Sequence, residues 1–500
     1  MTKNFDISSV AIVGGGPGGL VTLNELLNTS IDGTSYINST IPKDFKPKFN
    51  KITLFEQKDQ IGGVWGTEID KKDEIDNDFL QNGNGYSVDK INPKKDLPKD
   101  LNSENNFEKP LIIDKIQSIG KDWKISAVYP HLYTNVAKRF MRFSSIPHEE
   151  DPETEIKPLI KHEQVTSTLK SFSENNNLSK HIRLSTEVIN LEKIGSKWEI
   201  TLKKTEGSKE YWYKEQYDGV IIANGHYSVP YIPQIPGLNT TSINIVHSKS
   251  YRDADEFKDK NVVVVGTSLS GIDIIQYIKP IVKTLRVSRS SGKQEIFPWL
   301  TRAAESVENI PRIKSIEDNK VVLENGETLD DVDIILFATG YHWSYPFLQS
   351  GLIQVTKDGV ESSTNSSRIK GLYQNIFTIN DPSLAFVGIT LTSLKFHTLE
   401  VAAIAIASAW SNVTNLPSTK EQLEWESKRL EETGDGAIFH YYPYDTVNST
   451  WVSDVWKLGI LKNRQHPLND EDINDLTQAL EKAEEVFYKF VNGELTNESF

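Results

Sequence analysis

Apolar residues in this chain come in short runs that glycine closes, and helical spacing takes over directly afterwards. Val10 to Val13 is one such run. It ends in Gly14-Gly15-Gly16-Pro17-Gly18-Gly19, and Leu20, Leu23, Leu26 and Leu27 then recur at helical intervals, which predicts strand, glycine turn, helix. Lys51 to Glu56 is a second β-rich run, separated from that helix by the polar, aperiodic segment 29–50, which reads as a surface insertion. From 67 to about 121 the chain is rich in Asp, Asn and Lys and poor in apolar period, as expected of long loops decorating a core. Alternation over Ile182 to Leu191, Lys197 to Lys203 and Tyr211 to Tyr213 predicts an antiparallel meander, and Gly219 to Ala223 a buried parallel strand.

Beyond a connector stiffened by Pro230, Pro233 and Pro236, the opening pattern returns. Asn261 to Val265 is again an apolar strand, Gly266-Thr267-Ser268-Leu269-Ser270-Gly271 again a small-residue turn, and Ile272 to Ile278 again helical. Further strands are expected at Leu285 to Ser288 and Val332 to Ala338, and helices at Lys395 to Trp410, Thr419 to Glu432 and Glu471 to Val491. The predicted class is α/β, with two Rossmann-like dinucleotide-binding domains, one inserted into the other. The outer domain spans 1–228 and 337–500, with insertions at 29–50 and 67–121, and the inner one 229–336.

The two turns carry the chemistry. In Gly14-x-Gly16-x-x-Gly19 the glycines stand where the turn needs positive φ, where backbone must approach a pyrophosphate, and where helix packs on strand; the helix N-terminus then faces the phosphates. Glu56 ends the next strand, where a carboxylate accepts from an adenosine ribose. The second turn has Ser268 in place of the middle glycine, and its next strand ends in Arg286-Val287-Ser288-Arg289-Ser290, with cations and hydroxyls where a carboxylate would stand. That exchange favours a 2′-phosphate and hence NADPH over NADH; the alternative is that Arg286 and Arg289 merely solvate a strand end.

Composition narrows the field. A hydrophobic fraction of 37% suffices for sizeable cores, and a net charge of −14 repels nucleic acid and anionic membranes. The absence of Cys removes disulfides, thiolate metal sites and thiol redox chemistry, and with them a disulfide reductase. No signal-peptide pattern opens the chain, and the apolar run near Val401 to Ala407 is too short to span a bilayer, so the expectation is a soluble, cytoplasmic protein with no integral membrane segment.

Gly62-Gly63-Val64-Trp65 after Glu56, and Phe337-Ala338-Thr339-Gly340-Tyr341, resemble segments of the class B flavin monooxygenases, in particular the flavin-containing monooxygenases of fungal type. Leu132-Tyr133-Thr134-Asn135 with Met141-x-Phe143-Ser144 looks like the segment whose Asn sits beside the reactive flavin edge, and Asn224-Gly225-His226-Tyr227-Ser228-Val229-Pro230 like the inter-domain crossing. The family fingerprint F-x-G-x-x-x-H-x-x-x-Y/F falls on 241–251: His247 and Tyr251 match, whereas Thr241 and Ile243 do not.

The resemblance implies FAD and NADPH as cofactors. It places cofactor contacts at Gly14, Gly16, Pro17, Gly18, Gly19, Glu56, Gln57, Gly63, Val64, Trp65, His131, Thr134, Asn135, Val188, Asn224, Gly225, Tyr227 and Ser228, and also at Gly266, Ser268, Ser270, Gly271, Ser288, Arg289, Ser290, Thr339, Gly340 and Tyr341. It implies no metal. The implied cycle reduces FAD with NADPH, adds O₂ at flavin C4a and transfers oxygen from the hydroperoxide to a soft nucleophile, the N or S of a small amine, sulfide or thiol. Asn135 is the catalytic candidate. His247 could orient the linker or be structural, and His397 could reach the flavin face. A Baeyer–Villiger monooxygenase acting on ketones and a non-enzymatic flavin-binding protein are the alternatives. Tyr251 leans toward N- and S-oxygenation. Substrate identity and oligomeric state, a homodimer included, stay open.

Overall fold

Val10, Ala11, Ile12 and Val13 offer no polar face. Strand Ser9–Val13 accordingly lies inside a sheet, parallel to Lys51–Phe55 on one side and Gly219–Ile222 on the other. In this computed structural model, which describes residues 5–66, 69–72, 75, 80, 91–115, 123–147, 154–290, 292, 295–357, 360–361, 368–468 and 473–496, that sheet has seven strands. Their order is Leu372–Tyr373, Phe377–Thr378, Leu384–Phe386, Gly219–Ile222, Ser9–Val13, Lys51–Phe55 and Ile182–Arg183.

A second sheet, all parallel, runs Asn244–His247, Ile334–Phe337, Asn261–Val265, Thr284–Ser288, Glu308–Ile310. All its strands come from the chain between Gly219–Ile222 and Leu384–Phe386, neighbours in the first sheet, so one Rossmann-like α/β unit is inserted into the other. The inner sheet keeps Phe337, which pairs with Val265 and His247. Where the chain leaves and re-enters, Val229–Pro230 pairs antiparallel with Tyr341–His342.

The expected meander is present and larger. Thr186–Ile194, Lys197–Glu206 and Lys209–Tyr217 form an antiparallel sheet with a fourth, outer strand, Leu111–Asp114, registered Leu111 to Trp212. That strand lies in the stretch expected to be loops; at four residues, with Ile112 exposed, it has too little apolar alternation to be read from sequence. Ile182–Arg183 belongs instead to the outer parallel sheet, and Ser185, at φ 51°, turns the chain between the two. Segment 29–50 is likewise no free surface loop: Thr29 and Ser35 are fully buried, and bridges pair Ser30 with Pro47 and Thr34 with Lys462.

Helix Lys395–Trp410 is mostly apolar and is buried from Phe396 to Trp410, a central helix packed on Pro17–Leu27. Helix Thr419–Thr433 opens with a reciprocal cap, the Ser418 N–H donating to Glu421 Oε2 at 2.8 Å. Helix Ile473–Val491 covers the inner unit, where Arg302 holds Glu484 at 2.6 Å.

A buried ion triad joins three distant segments. Arg464 Nε lies 3.1 Å from both Glu25 oxygens, and Nη2 lies 2.6 Å from Glu400 Oε1, with the arginine side chain 3% exposed. Burial raises the Glu25 pKa, and the guanidinium works against that rise. Removing one partner of such a set strands buried charge. Arg464→Met is expected to cost about 3–5 kcal/mol in urea unfolding at neutral pH. A carboxyl whose folded pKa is raised loses stability as pH climbs through that pKa, so the deficit should shrink on acidification. A variant within about 0.5 kcal/mol of wild type at neutral pH would show that the triad holds nothing together.

Candidate active site

The seven-stranded and five-stranded sheets both end at one cleft of about 1460 Å³. At the first turn Gly14 has φ 109°, and a Cβ there would lie 2.5 Å from Ala223 O, where the neighbouring strand exits. Gly266 repeats this at φ 99°, its Cβ position 2.6 Å from Ala338 O. A Cβ on Gly19 would meet Gly14 O at 1.9 Å and one on Gly271 would meet Gly266 O at 2.2 Å, so both serve helix packing, and neither lines the cleft.

The middle residue of each turn obeys a different rule. Gly16 has φ −76° and ψ −176°, ordinary for any L residue, and a Cβ there would touch only Gly63, at 3.5 Å from Cα. Ser268 adopts nearly the same angles, −78° and −170°, so its side chain costs no backbone strain. Both residues cap helices without a side-chain hydrogen bond, which leaves first-turn N–H groups for a ligand phosphate.

Glu56 emerges at the end of Lys51–Phe55 and is buried. Its Oε2 accepts from Gly15 N–H at 2.6 Å and its Oε1 from Lys58 N–H at 2.8 Å. Burial raises its pKa while these donors lower it. Each oxygen keeps a lone pair for a ribose hydroxyl. The Gly62–Trp65 segment folds over the turn through Gly62 N–H to Gly15 O, 2.9 Å, and Lys58 Nζ to Gly63 O, 3.3 Å. Gly14, Gly16, Pro17, Gly18, Glu56, Gln57, Gly63, Val64, Trp65 and Val188 all line the cleft, as do Gly266, Ser268 and Ser270 from the second turn. These residues fit two dinucleotides.

The crossing supplies the wall between them. Asn224, Gly225, Tyr227, Ser228, Thr339, Gly340 and Tyr341 line the cleft, with Tyr227 edge-on to Tyr341 at 5.5 Å. His247 is not in the cleft: its Nε2–H donates to Gly340 O at 3.0 Å and its Nδ1 accepts from Lys249 N–H at 3.1 Å, so it clamps the linker. Burial pushes its pKa down to about 3, and the ring is neutral. His226, by contrast, lines the cleft, stacked 3.6 Å from Trp343, its Nε2–H donating to Tyr341 O at 3.2 Å. Its shielded Nδ1 has no partner among the described residues. His397 packs 6.4 Å from Phe140 and does not line the cleft, but Lys395 on the same helix does. Lys395 Nζ donates to Gly388 O and Thr390 O, both at 2.7 Å, and burial lowers its pKa to about 7.

In the 131–135 segment, Thr134 is a structural clasp: its Oγ1 donates to Val136 O at 2.7 Å and accepts from Ile160 N–H at 3.1 Å, although it also lines the cleft. Next to it, Asn135 lines the cleft with a side chain that makes no hydrogen bond among the described residues. His131 stands outside, its carbonyl accepting from Tyr277 OH at 3.1 Å.

Two groups at the expected 2′-phosphate loop are engaged elsewhere. Ser288 Oγ is turned inward and spent on Pro311 O at 3.1 Å, and Arg286 is ion-paired with Asp331 at 3.1 Å and Glu308 at 3.5 Å. Ser288, Arg289 and Ser290 do not line the cleft itself. Sequence reading missed Lys395, His226 as a cleft group, and Asp273, whose pKa burial raises to about 8. None of the three shows in period or spacing, since each owes its place to a contact between distant segments.

Among the described residues no helix is long and apolar enough to cross a membrane, and no cluster of His, Cys, Asp and Glu could hold a metal ion. Known proteins agree with this architecture. The chain is 26% identical over 486 residues to the flavin-containing monooxygenase ustF2 of Aspergillus flavus, covering 90% of this chain and 92% of that protein. It is 28% identical over 464 residues to flavin-containing monooxygenase FMO GS-OX-like 5 of Arabidopsis thaliana, covering 89% and 86%. The solved structure of S-allyl-L-cysteine S-oxygenase from Allium sativum shares the fold, with TM-score 0.64 at 23% identity over 96% of this chain and 98% of that one. Residues 108–298 and 301–455 match the flavin-binding monooxygenase-like family, and with a cleft built to seat FAD and NADPH the chain belongs to that family.

Proposed function

We propose that this flavin monooxygenase uses NADPH and O₂ to oxygenate a soft nucleophile, the N or S of a small amine, sulfide or thiol. In this reading FAD occupies the unit 1–228 and 337–500, and NADPH the unit 229–336. The observation that carries it is the free Asn135 side chain facing a cleft with two pyrophosphate cradles. Bound flavin supplies the oxygen chemistry. The chain's own residues bind, orient and exclude water. Gly16 leaves room over the first helix N-terminus, Glu56 takes the ribose, and Asn135 both donates and accepts where oxygen is transferred. The clamped crossing, through the neutral His247 and Gly340, would keep the two units in a fixed relation for hydride transfer.

Two outcomes test this. Purified protein should be yellow with FAD; Gly16→Ala should weaken FAD binding and Gly16→Val abolish it, while thermal unfolding of apo Gly16→Ala stays near wild type because a Cβ there meets only Gly63. A Gly16→Val protein with full flavin content would place the pyrophosphate elsewhere. Asn135→Ala should keep FAD and its reduction by NADPH, yet lose about 10²–10³ in oxygen transfer, as removal of one preorganised donor does. NADPH consumption would then yield hydrogen peroxide in place of product, measured across thiols, sulfides, tertiary amines and ketones. Unchanged coupling would make Asn135 structural, and a ketone turned to an ester would favour the Baeyer–Villiger alternative.

A further inference from the structure

One corner of the cleft carries charge of a single sign. The chain from 387 to 443 brings Lys395 and Arg429 to the lining and, among the described residues, no carboxylate beside them. The acidic residues of the lining, Glu56, Glu187, Asp273 and Glu295, come from other elements. Both cations are tied to one short ladder, in which Leu391 N–H donates to His440 O at 2.7 Å and Tyr442 N–H to Leu391 O at 2.9 Å. Lys395 Nζ holds one side through Thr390 O at 2.7 Å. Arg429 Nη2 holds the other through Tyr441 O at 2.7 Å, its guanidinium 4.1 Å over the Tyr442 ring. Neither forms an ion pair among the described residues, so the third Lys395 N–H and Arg429 Nη1 are unspent. Thr392 lines the same corner, and its buried hydroxyl has no partner among the described residues.

This corner adjoins Asn135. The segment that follows Asn135 packs on the first turn of helix Lys395–Trp410, with Phe143 5.1 Å from Phe396 and Phe140 6.4 Å from His397.

We infer that the substrate carries a carboxylate, seated by Lys395 and Arg429 while its soft N or S atom lies toward Asn135. This rests on the oxygenation reading above. A cation taken out of water without a counter-ion is costly, and an arriving anion offsets that cost. The lowered pKa of Lys395 has the same origin, burial. A neutral amine or sulfide gives the two cations no partner, and a cationic one is repelled.

The test measures coupled oxygenation by the FAD-loaded protein with methylthiopropanoate against its amide, and with dimethylaminobutanoate against its amide. Wild type should prefer the acid in kcat/KM, chiefly through KM. Lys395→Gln keeps a donor for the Gly388 and Thr390 carbonyls but loses the charge. It should cut the acid-over-amide preference roughly 10- to 150-fold, the range for a hydrogen bond to a charged group, with flavin content as the check on folding. If the variant fails to hold flavin, the wild-type preference alone decides. A wild type that takes the amide as readily as the acid would overturn the assignment. So would a Lys395→Gln enzyme that keeps the preference, or one that loses both probes equally, which marks a structural role. Peroxide in place of product with all four probes would instead remove the oxygenation reading, and this inference with it.

Discussion

The structure depends on a steric constraint met twice: the carbonyl of an exiting strand lies so close to a glycine turn that no Cβ fits between them. Ala223 O crowds Gly14 and Ala338 O crowds Gly266, and both glycines take left-handed φ. That crowding sets each helix N-terminus at the edge of its sheet with N–H groups uncapped and open to a phosphate. Between the constrained glycines stands a residue under no such demand, Gly16 or Ser268 at matching angles. The protein needs glycine at 14 and 266 for its own chain, whereas neither backbone angle nor close contact demands it at 16.

Two such cradles make one site only if the units stay in register. The short ladder between Val229–Pro230 and Tyr341–His342 does this, and Gly340 is its pivot, its carbonyl accepting from both Tyr231 N–H at 2.9 Å and His247 Nε2 at 3.0 Å. Burial lowers the pKa of both His247 and His226 to about 3, so neither ring is charged at ordinary pH. Among the cationic residues that line the cleft, Lys395 stands in the first turn of its helix, against the local dipole, and burial lowers its pKa to about 7.

The parts legible in sequence were those fixed by local chemistry. Apolar runs gave the central strands, glycine spacing gave both turns, and Glu56 was found from its place at a strand end. The helices at Lys395, Thr419 and the C-terminal segment were readable from their period, and the described part of the last begins at Ile473. What escaped depends on distant segments meeting. Leu111–Asp114 is a strand because Tyr211 and Trp212 offer it an edge, and Arg183 lies in the parallel sheet because Phe55 pairs with it. At the end of strand Thr284–Ser288, distant segments decide which side chains are spent: Pro311 takes the Ser288 hydroxyl, and Asp331 and Glu308 hold Arg286.

The central claim is that one cleft holds both dinucleotides in productive contact. Anaerobic titration of the FAD-loaded protein with NADPH, followed by the visible flavin absorbance, tests it most directly. One equivalent of NADPH per flavin should bleach the band completely. A protein that binds both FAD and NADPH, yet keeps its flavin oxidised under excess NADPH, would contradict the claim that the two cradles open onto a single site.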